Sequence, residues 1–171
     1  MRCLIVLLLH ASLYAQQIAV GKMLVATKKS HDPDLGRSVI LLVHYDARGA
    51  IGLILNRPSK VPLADVMPEL KNIRTPVYAG GPVTIGVRAV CRGVKPGDAT
   101  RVSNDMFLVS TKSLLANVLD QGSCRVYAGY TGWTAGQLQS ELAQGLWRIS
   151  SATTREVFDP SPEDLWRKLN P

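Results

Sequence analysis

The sequence lacks the short motifs that mark the common enzyme classes. It contains no Gly-x-Ser-x-Gly, no His-Glu-x-x-His, no Gly-Lys-Ser/Thr loop and no Gly-x-Gly-x-x-Gly segment opening a helix. Histidine is also scarce, with three residues in a chain of 171. These absences exclude a nucleophile-elbow hydrolase, a zinc protease of the two-histidine type, a P-loop nucleotidase and a Rossmann dinucleotide enzyme.

Clustered positive charge with interleaved aromatic residues is absent as well. The formal net charge is +7, from 20 Lys and Arg against 13 Asp and Glu, yet the tightest basic groups are the pairs Lys28-Lys29 and Arg167-Lys168. Aromatic residues make up only 6% of the chain. Because a nucleic-acid surface collects its cations on one face beside stacking aromatics, we expect no nucleic-acid partner. The excess charge instead favours a small anionic ligand or a protein partner.

No linker, internal repeat or low-complexity tract divides the chain. Its 14 Gly and 10 Pro are spread along the sequence, and 46% hydrophobic with 19% charged residues is a globular balance. A length of 171 residues suits one domain with a sizeable core. We therefore predict a single domain over residues 16–171.

The first fifteen residues have the three-part layout of a secretory signal. A positive start at Met1-Arg2 is followed by an apolar run at 3–9 and by a small residue, Ala15, before Gln16. The apolar run is too short to cross a bilayer, which takes roughly 20 residues. We expect cleavage after Ala15, export to the periplasm or beyond, and no transmembrane segment in the mature chain. A cytoplasmic protein is the alternative.

Two cysteines, Cys91 and Cys124, remain once Cys3 leaves with the signal. Both lie in predicted strands, and in an oxidising compartment such a pair can form a cross-strand disulfide. Two buried thiols acting as small apolar side chains are the alternative. Neither cysteine has the Cys-x-x-Cys spacing of a redox or zinc site.

Apolar runs predict a sheet that starts with a hairpin. Its strands are 38–44 and 50–55, joined by turn residues at 46–49 and ended at Pro58, which has no N–H to donate to a ladder. Further strands are expected at 22–27, 76–79, 87–92, 106–109, 125–130 and 147–150.

Helical spacing alternates irregularly with these strands. A short helix broken by Pro68 is expected near 63–70, a second over 114–119 closed by Gly122, a third from a Thr134-x-x-Gln137 capping box to Gly145, and a last from Ser161. Because strict strand–helix alternation is missing, the pattern favours an α+β fold with a mixed, largely antiparallel sheet.

Two segments at strand ends are candidate ligand sites. At Asn56-Arg57-Pro58 a guanidinium could bind a carboxylate or phosphate in bidentate fashion, or could pair with an internal carboxylate. At Gly80-Gly81 the backbone could approach a ligand closely, or the glycines could simply allow an unusual turn.

The third candidate segment is 129–137, where a strand is expected to pass through a glycine turn into a helix. Free N–H groups at such a helix start favour anions. Gln137 and Glu141 share one helical face and could line a pocket. The alternative is that Thr134 and Gln137 satisfy those N–H groups as a cap while Trp133 fills the core.

Taken in order, these segments resemble the YqgE/AlgH family of bacterial proteins. The matching stretches are GKMLVA at 21–26, DPDLGRSV at 32–39, GAIGLILNRP at 49–58, YAGGPV at 78–83 and GYTGW at 129–133. The resemblance implies a single α+β domain whose bifurcated sheet curls into a pseudo-barrel with flanking helices. It implies no assigned activity, although some members carry a transcriptional-regulator label, which no DNA-binding motif in this sequence supports.

The preferred hypothesis is a non-catalytic module that binds a small anionic ligand or a protein partner. No catalytic residue, metal or cofactor is predicted. The alternatives are a transcriptional regulator and a hydrolase that uses Glu141, or Asp32 with His31. The expected binding residues are Asn56, Arg57, Gly80, Gly81, Gly132, Trp133, Thr134, Gln137 and Glu141.

Overall fold

The structure, a computed structural model, describes residues 17–93, 95–119 and 124–170. The predicted signal segment 1–15 and the helix-closing Gly122 lie outside the described residues. The ten strands are β1 Lys22–Ala26, β2 Val39–Asp46, β3 Gly49–Ile54, β4 Pro58–Pro62, β5 Pro76–Ala79, β6 Val83–Arg92, β7 Thr100–Arg101, β8 Met106–Val109, β9 Cys124–Thr134 and β10 Trp147–Ser151. The helices are α1 Leu63–Val66, α2 Lys112–Val118, α3 Gln137–Ala143, α4 Thr154–Val157 and α5 Leu165–Leu169, with 3₁₀ turns at Pro68–Leu70 and Pro162–Asp164.

One long strand, β9, divides the sheet into two branches. The strand order is β10-β1-β2-β3-β9-β6-β8-β7. In addition, β5 pairs with β9, and β4 pairs with β5. The last residues of β9 pair with β3, whereas 126–128 pair in parallel with β5 and 124–130 pair with β6. The other neighbouring strands are antiparallel. The fold is therefore α+β with a curled, largely antiparallel half-barrel sheet, which confirms the predicted fold class.

Both faces of the first strands are buried, as their continuous apolar runs indicate. Met23 and Val25 of β1 pack in one core cluster, while the alternate residues Leu24 and Ala26 pack in another. Since successive side chains of a strand point to opposite faces, a strand covered on both sides loses the apolar–polar alternation of a surface strand. A further cluster fills the space under α1, α2 and β6.

The strand predicted over 125–130 is too short, because β9 continues through Thr134 and the turn before α3 is confined to Ala135 and Gly136. Gly132 pairs with Ile51, and Thr131 pairs with Gly52. Pairing with β3 therefore keeps this stretch extended, although its glycine content favours a turn. The chain likewise resumes as strand β4 at Pro58, at the sheet's periphery, where a proline without an N–H is tolerated.

Cys91 and Cys124 face each other in the β6–β9 register and are joined by a disulfide. Of the two alternatives open from the sequence, the structure has the bond. It ties the start of β9 to the end of β6, two segments separated by 33 residues in the chain.

Two glycines let the chain cross β9 between β5 and β6. The N–H of Gly80 donates to the carbonyl of Ala128 at 2.7 Å, and the Gly80 carbonyl accepts from the N–H of Ile54 at 3.0 Å. A Cβ placed on Gly81 would lie 2.2 Å from the carbonyl carbon of Tyr130. The close approach that these glycines permit is therefore an approach to the β9 main chain.

We expect Gly81→Ala to lower the free energy of unfolding by about 3 kcal/mol or more, since neither backbone can move aside without breaking a ladder. Gly132→Ala is the matched control, because a Cβ there would meet the Tyr130 ring at an ordinary 3.5 Å. That variant is expected to change stability by less than about 1 kcal/mol. Urea unfolding of the two variants measures the difference, and equal midpoints would contradict a tight crossing.

Candidate functional site

The predicted site residues lie at opposite ends of the β2–β3 hairpin. Arg57 follows β3 at the open end, where its Nη2 donates to the Ser38 hydroxyl at 3.0 Å. Gly132 and Thr134 lie at the turn end, because they pair with Ile51 and Gly49. The structure does not bring the two groups into one hollow, and ligand binding by either group stays a prediction.

At the open end, the Asn56 side chain holds an irregular stretch of backbone in place. Its Oδ1 accepts from the N–H of Val39 and its Nδ2 donates to the carbonyl of Arg37, both at 2.9 Å. Arg37 has a φ of 59°, the left-handed conformation, which no other non-glycine residue in the described part adopts. Such a conformation costs about 1–2 kcal/mol, which the Asn56 amide helps to offset. Asn56 thus fixes the position of Ser38, the partner of Arg57.

The Arg57 side chain is half-buried, and its guanidinium has no acidic partner among the described residues. Within the same residues, the guanidinium forms one hydrogen bond, to the hydroxyl of the fully buried Ser38. A hydroxyl satisfies one of the five guanidinium N–H groups and compensates none of the charge. The internal ion pair that was the structural alternative for Arg57 is therefore not formed within the described chain.

Four further cations gather at the same end of the sheet. The register pairs Val25 with Val39 and Ala26 with Trp147, so the end of β1 and the starts of β2 and β10 are adjacent. We call the group the basic end; its members are Lys28, Lys29, Arg37, Arg57 and Arg148.

An open depression of about 730 Å³ lies beside the basic end and is lined by Lys28, Lys29 and Arg148, among others. No carboxylate within the described residues pairs with any of the five cations. Arg148 donates instead to the carbonyl of Leu169, and Arg37 stacks on the Trp166 ring. Sequence reasoning found Arg57 but missed the rest, because only strand pairing brings them together.

The nearest acidic side chains in sequence are in the loop that joins β1 to β2. Asp32 uses its Oδ1 to accept the N–H groups of Asp34 and Leu35 at 2.8 and 2.7 Å, as an Asx turn does. His31 beside it is exposed and forms no hydrogen bond or ion pair with Asp32 in the described part of the chain. No group of three or more metal-ligating side chains occurs within 17–93, 95–119 and 124–170. The arrangement gives no support to the Asp32–His31 hydrolase hypothesis.

At the turn end, a carboxylate joins two tryptophans. Trp133 and Trp147 are buried, meet edge to face at 6.1 Å, and both donate their indole N–H to Glu141 Oε2, at 2.8 and 2.7 Å. The other oxygen accepts from Gln137 Nε2 at 2.9 Å. Because Glu141 has three donors, its carboxylate is occupied by internal contacts. Trp133 fills the core, as the structural alternative for it expects.

The predicted cap of α3 is wrong in detail. The N-cap is Gly136, with a φ of 77°, and Thr134 is the last residue of β9. Gln137 Oε1 nevertheless accepts from the Thr134 N–H at 3.1 Å, which is one of the two hydrogen bonds of a capping box. Gln137 therefore joins the end of β9 to the start of α3.

No described helix has the size of a DNA-recognition helix or a membrane span. The longest, α2 and α3, have seven residues each. In the same ranges, no helix is long and apolar enough to cross a membrane.

We expect Glu141→Ala to lower the free energy of unfolding by about 2–4 kcal/mol, because two indole N–H groups, each on a buried ring, lose their acceptor. Glu141→Gln keeps one acceptor oxygen and should cost less than half as much. Tryptophan fluorescence during urea unfolding reports both values. Equal stability of the wild type and Glu141→Ala would show that the carboxylate does not hold the ring pair.

Comparison with known proteins gives one consistent family. A model of the AlgH-like family matches residues 23–170. A UPF0301 protein of Streptomyces avermitilis is 38% identical over 164 residues, covering 87% of this chain and 83% of the relative. A UPF0301 protein of Chlorobaculum tepidum is 31% identical over 155 residues, covering 86% and 83%.

Two solved structures share the fold. The crystal structure of a Corynebacterium diphtheriae protein is 28% identical, with a TM-score of 0.74, and the match covers 90% of this chain and 86% of that one. The solution structure of the AlgH protein from Pseudomonas aeruginosa is 26% identical, with a TM-score of 0.71 and coverage of 91% and 89%. The likeness therefore extends over nearly the whole of both chains.

Proposed function

The chain belongs to the AlgH-like family of uncharacterised proteins, and we propose that it is a non-catalytic module that binds a small anionic ligand at the basic end. The observation that carries the proposal is the half-buried Arg57 side chain, whose guanidinium donates to a neutral hydroxyl and has no counter-ion in the described residues.

A cation in this position is costly to the free protein. Removal of a guanidinium from water has a desolvation cost that a single hydroxyl does not recover, so an ordinary structural arginine is paired or left in solvent. An unpaired arginine that costs stability is typical of a binding site. A bound carboxylate or phosphate would accept two parallel N–H hydrogen bonds from the guanidinium and so compensate its charge.

The surroundings favour a small anion over a broad acidic surface. Lys28, Lys29 and Arg148 line one depression, whereas Arg57 lies at the Ser38 junction and Arg37 on Trp166. The cations thus project from separate strand ends around a limited area. A phosphate or polycarboxylate at Arg57 would be held by charge-assisted hydrogen bonds, and the neighbouring cations would add a positive field.

We expect Arg57→Met to separate binding from stability. Without added anion, the variant should unfold within a few degrees of the wild type, because removal of a partly desolvated charge is offset by loss of the hydrogen bond to the buried Ser38 hydroxyl. The rise in Tm that phosphate, a nucleoside monophosphate or citrate produces in the wild type should be lost. Thermal unfolding with each probe, against sodium chloride at equal ionic strength, measures both effects.

Arg74→Met is the matched control, since it removes the same charge from an exposed loop residue. It should keep the full response to the anions. An equal rise in Tm for the wild type and both variants would refute the proposal, as would the absence of any response in the wild type. A response confined to a poly-glutamate peptide would instead identify a protein partner.

We also propose that the protein is exported. The layout of residues 1–15 is the basis, and the Cys91–Cys124 disulfide supports it because such bonds persist in oxidising compartments. The expected mature N-terminus is Gln16. Intact mass spectrometry of protein from periplasmic and cytosolic fractions tests this, with alkylation before reduction to report the thiols. A chain that retains Met1 in the cytosolic fraction would sink the export proposal.

A further inference from the structure

A second cavity lies under a bulge of β6, away from the basic end. Between Val83 and Val87, β6 advances by four residues while its partner β9 moves by two, from Tyr130 to Ala128. Residues 84–86, which lie opposite Gly129 alone, leave the ladder and are exposed, and Gly86 adopts a left-handed φ of 79°. A cavity of about 480 Å³ borders this bulge and extends to α1 and the start of α2.

The cavity is lined by apolar and polar residues in similar measure. The apolar lining residues are Val66, Met67, Val87, Leu115 and Ala128, and the polar ones are Thr84, Arg88, Ser110 and Lys112. No acidic side chain lines it. A volume between about 300 and 1,000 Å³ that combines apolar side chains with polar groups is typical of small-molecule sites.

The two cations that line the cavity differ in their charge compensation. Lys112 forms an ion pair with Glu69, and the hydrogen bond from Lys112 lowers the pKa of that carboxyl. The positive charge of Lys112 is therefore balanced by the negative charge of Glu69. Arg88 has no carboxylate partner among the described residues. The uncompensated charge of the cavity is therefore that of Arg88.

Arg88 is held in place without using its full capacity as a donor. Its guanidinium stacks on the Tyr130 ring at 4.5 Å, and Nη1 makes one long contact, 3.5 Å, with the carbonyl of Ile85. Stacking fixes the plane of the guanidinium and leaves its edge for in-plane hydrogen bonds. A carboxylate matches that edge in geometry and in charge.

We propose that this cavity binds a small carboxylate with an apolar body, whose head pairs with Arg88 and whose body packs against Met67, Val87 and Leu115. The site shares no lining residue with the basic end. The two proposed sites can therefore be tested independently of each other.

Three probes separate the head from the body. Octanoate carries both, 1-octanol carries the body without the charge, and acetate carries the head without the body. We expect octanoate to shift the methyl NMR signals of Met67 and Leu115, and the other two to bind about tenfold more weakly or worse, because each lacks one of the two contacts.

Arg88→Ala should weaken octanoate binding by about tenfold or more while leaving the response of the basic end to phosphate unchanged. Arg92→Ala is the matched control: it removes an arginine of the same strand that is also stacked on an aromatic ring, that of Phe158, and does not line the cavity. It should keep the wild-type affinity. Arg88→Lys, which retains the charge but not the planar fork, should give an intermediate affinity and serves if Arg88→Ala does not fold.

Equal affinity for octanoate in the wild type and the Arg88 variants would overturn the proposal. So would octanol binding as tightly as octanoate, or shifts spread over methyl groups throughout the protein, which indicate a surfactant effect. Absence of any shift in the wild type at about 10 mM octanoate, well above a millimolar dissociation constant, would overturn it as well.

Discussion

The crossing of the chain over β9 is the constraint on which the rest of the structure depends. β9 is the strand that both branches of the sheet share, and β5 can pass into β6 only where Gly80 and Gly81 lie against its main chain without a Cβ between them. The hydrogen bonds of Gly80 to Ala128 and Ile54 close the gap in the ladder at that point. Without this contact, β5 and β6, which are consecutive in the chain, could not both pair with β9.

The curled sheet determines where charge collects. Strands that pair across the half-barrel end together, so side chains just beyond their last ladder residues become neighbours although they are far apart in sequence. Lys28 follows β1 and Arg148 lies at the start of β10, and the pairing of Ala26 with Trp147 makes them neighbours. Acidic residues that could neutralise the group are used elsewhere: Asp159 and Asp164 pair with basic residues of α5. A positive field at one end of the sheet is the consequence.

Local chemistry predicted the hairpin, the broken helix near Pro68 and the fold class, because each depends on neighbouring residues. It failed at 131–134, where a turn is expected after Tyr130 but pairing with β3 enforces a strand. The site was less accessible to prediction. Arg57 could be found from the proline that follows it, whereas the other cations of the basic end have no sequence signal. These cations become neighbours through the strand register, and the register cannot be read from the positions of lysines and arginines in the sequence.

A comparison among the arginines shows what distinguishes a binding candidate from a structural residue. Arg125 also lacks a carboxylate partner, yet it donates to the carbonyls of Val157 and Asp159 and lies against the Tyr78 and Phe158 rings. The guanidinium N–H groups of Arg125 thus connect the end of α4 to β9, and its positive charge lies beside two carbonyl dipoles. Arg57 and Arg88 each make one side-chain hydrogen bond within the described residues, at 3.0 and 3.5 Å, which uses one of the five guanidinium N–H groups. This difference is the reason why we propose Arg57 and Arg88, and not Arg125, as anion-binding residues.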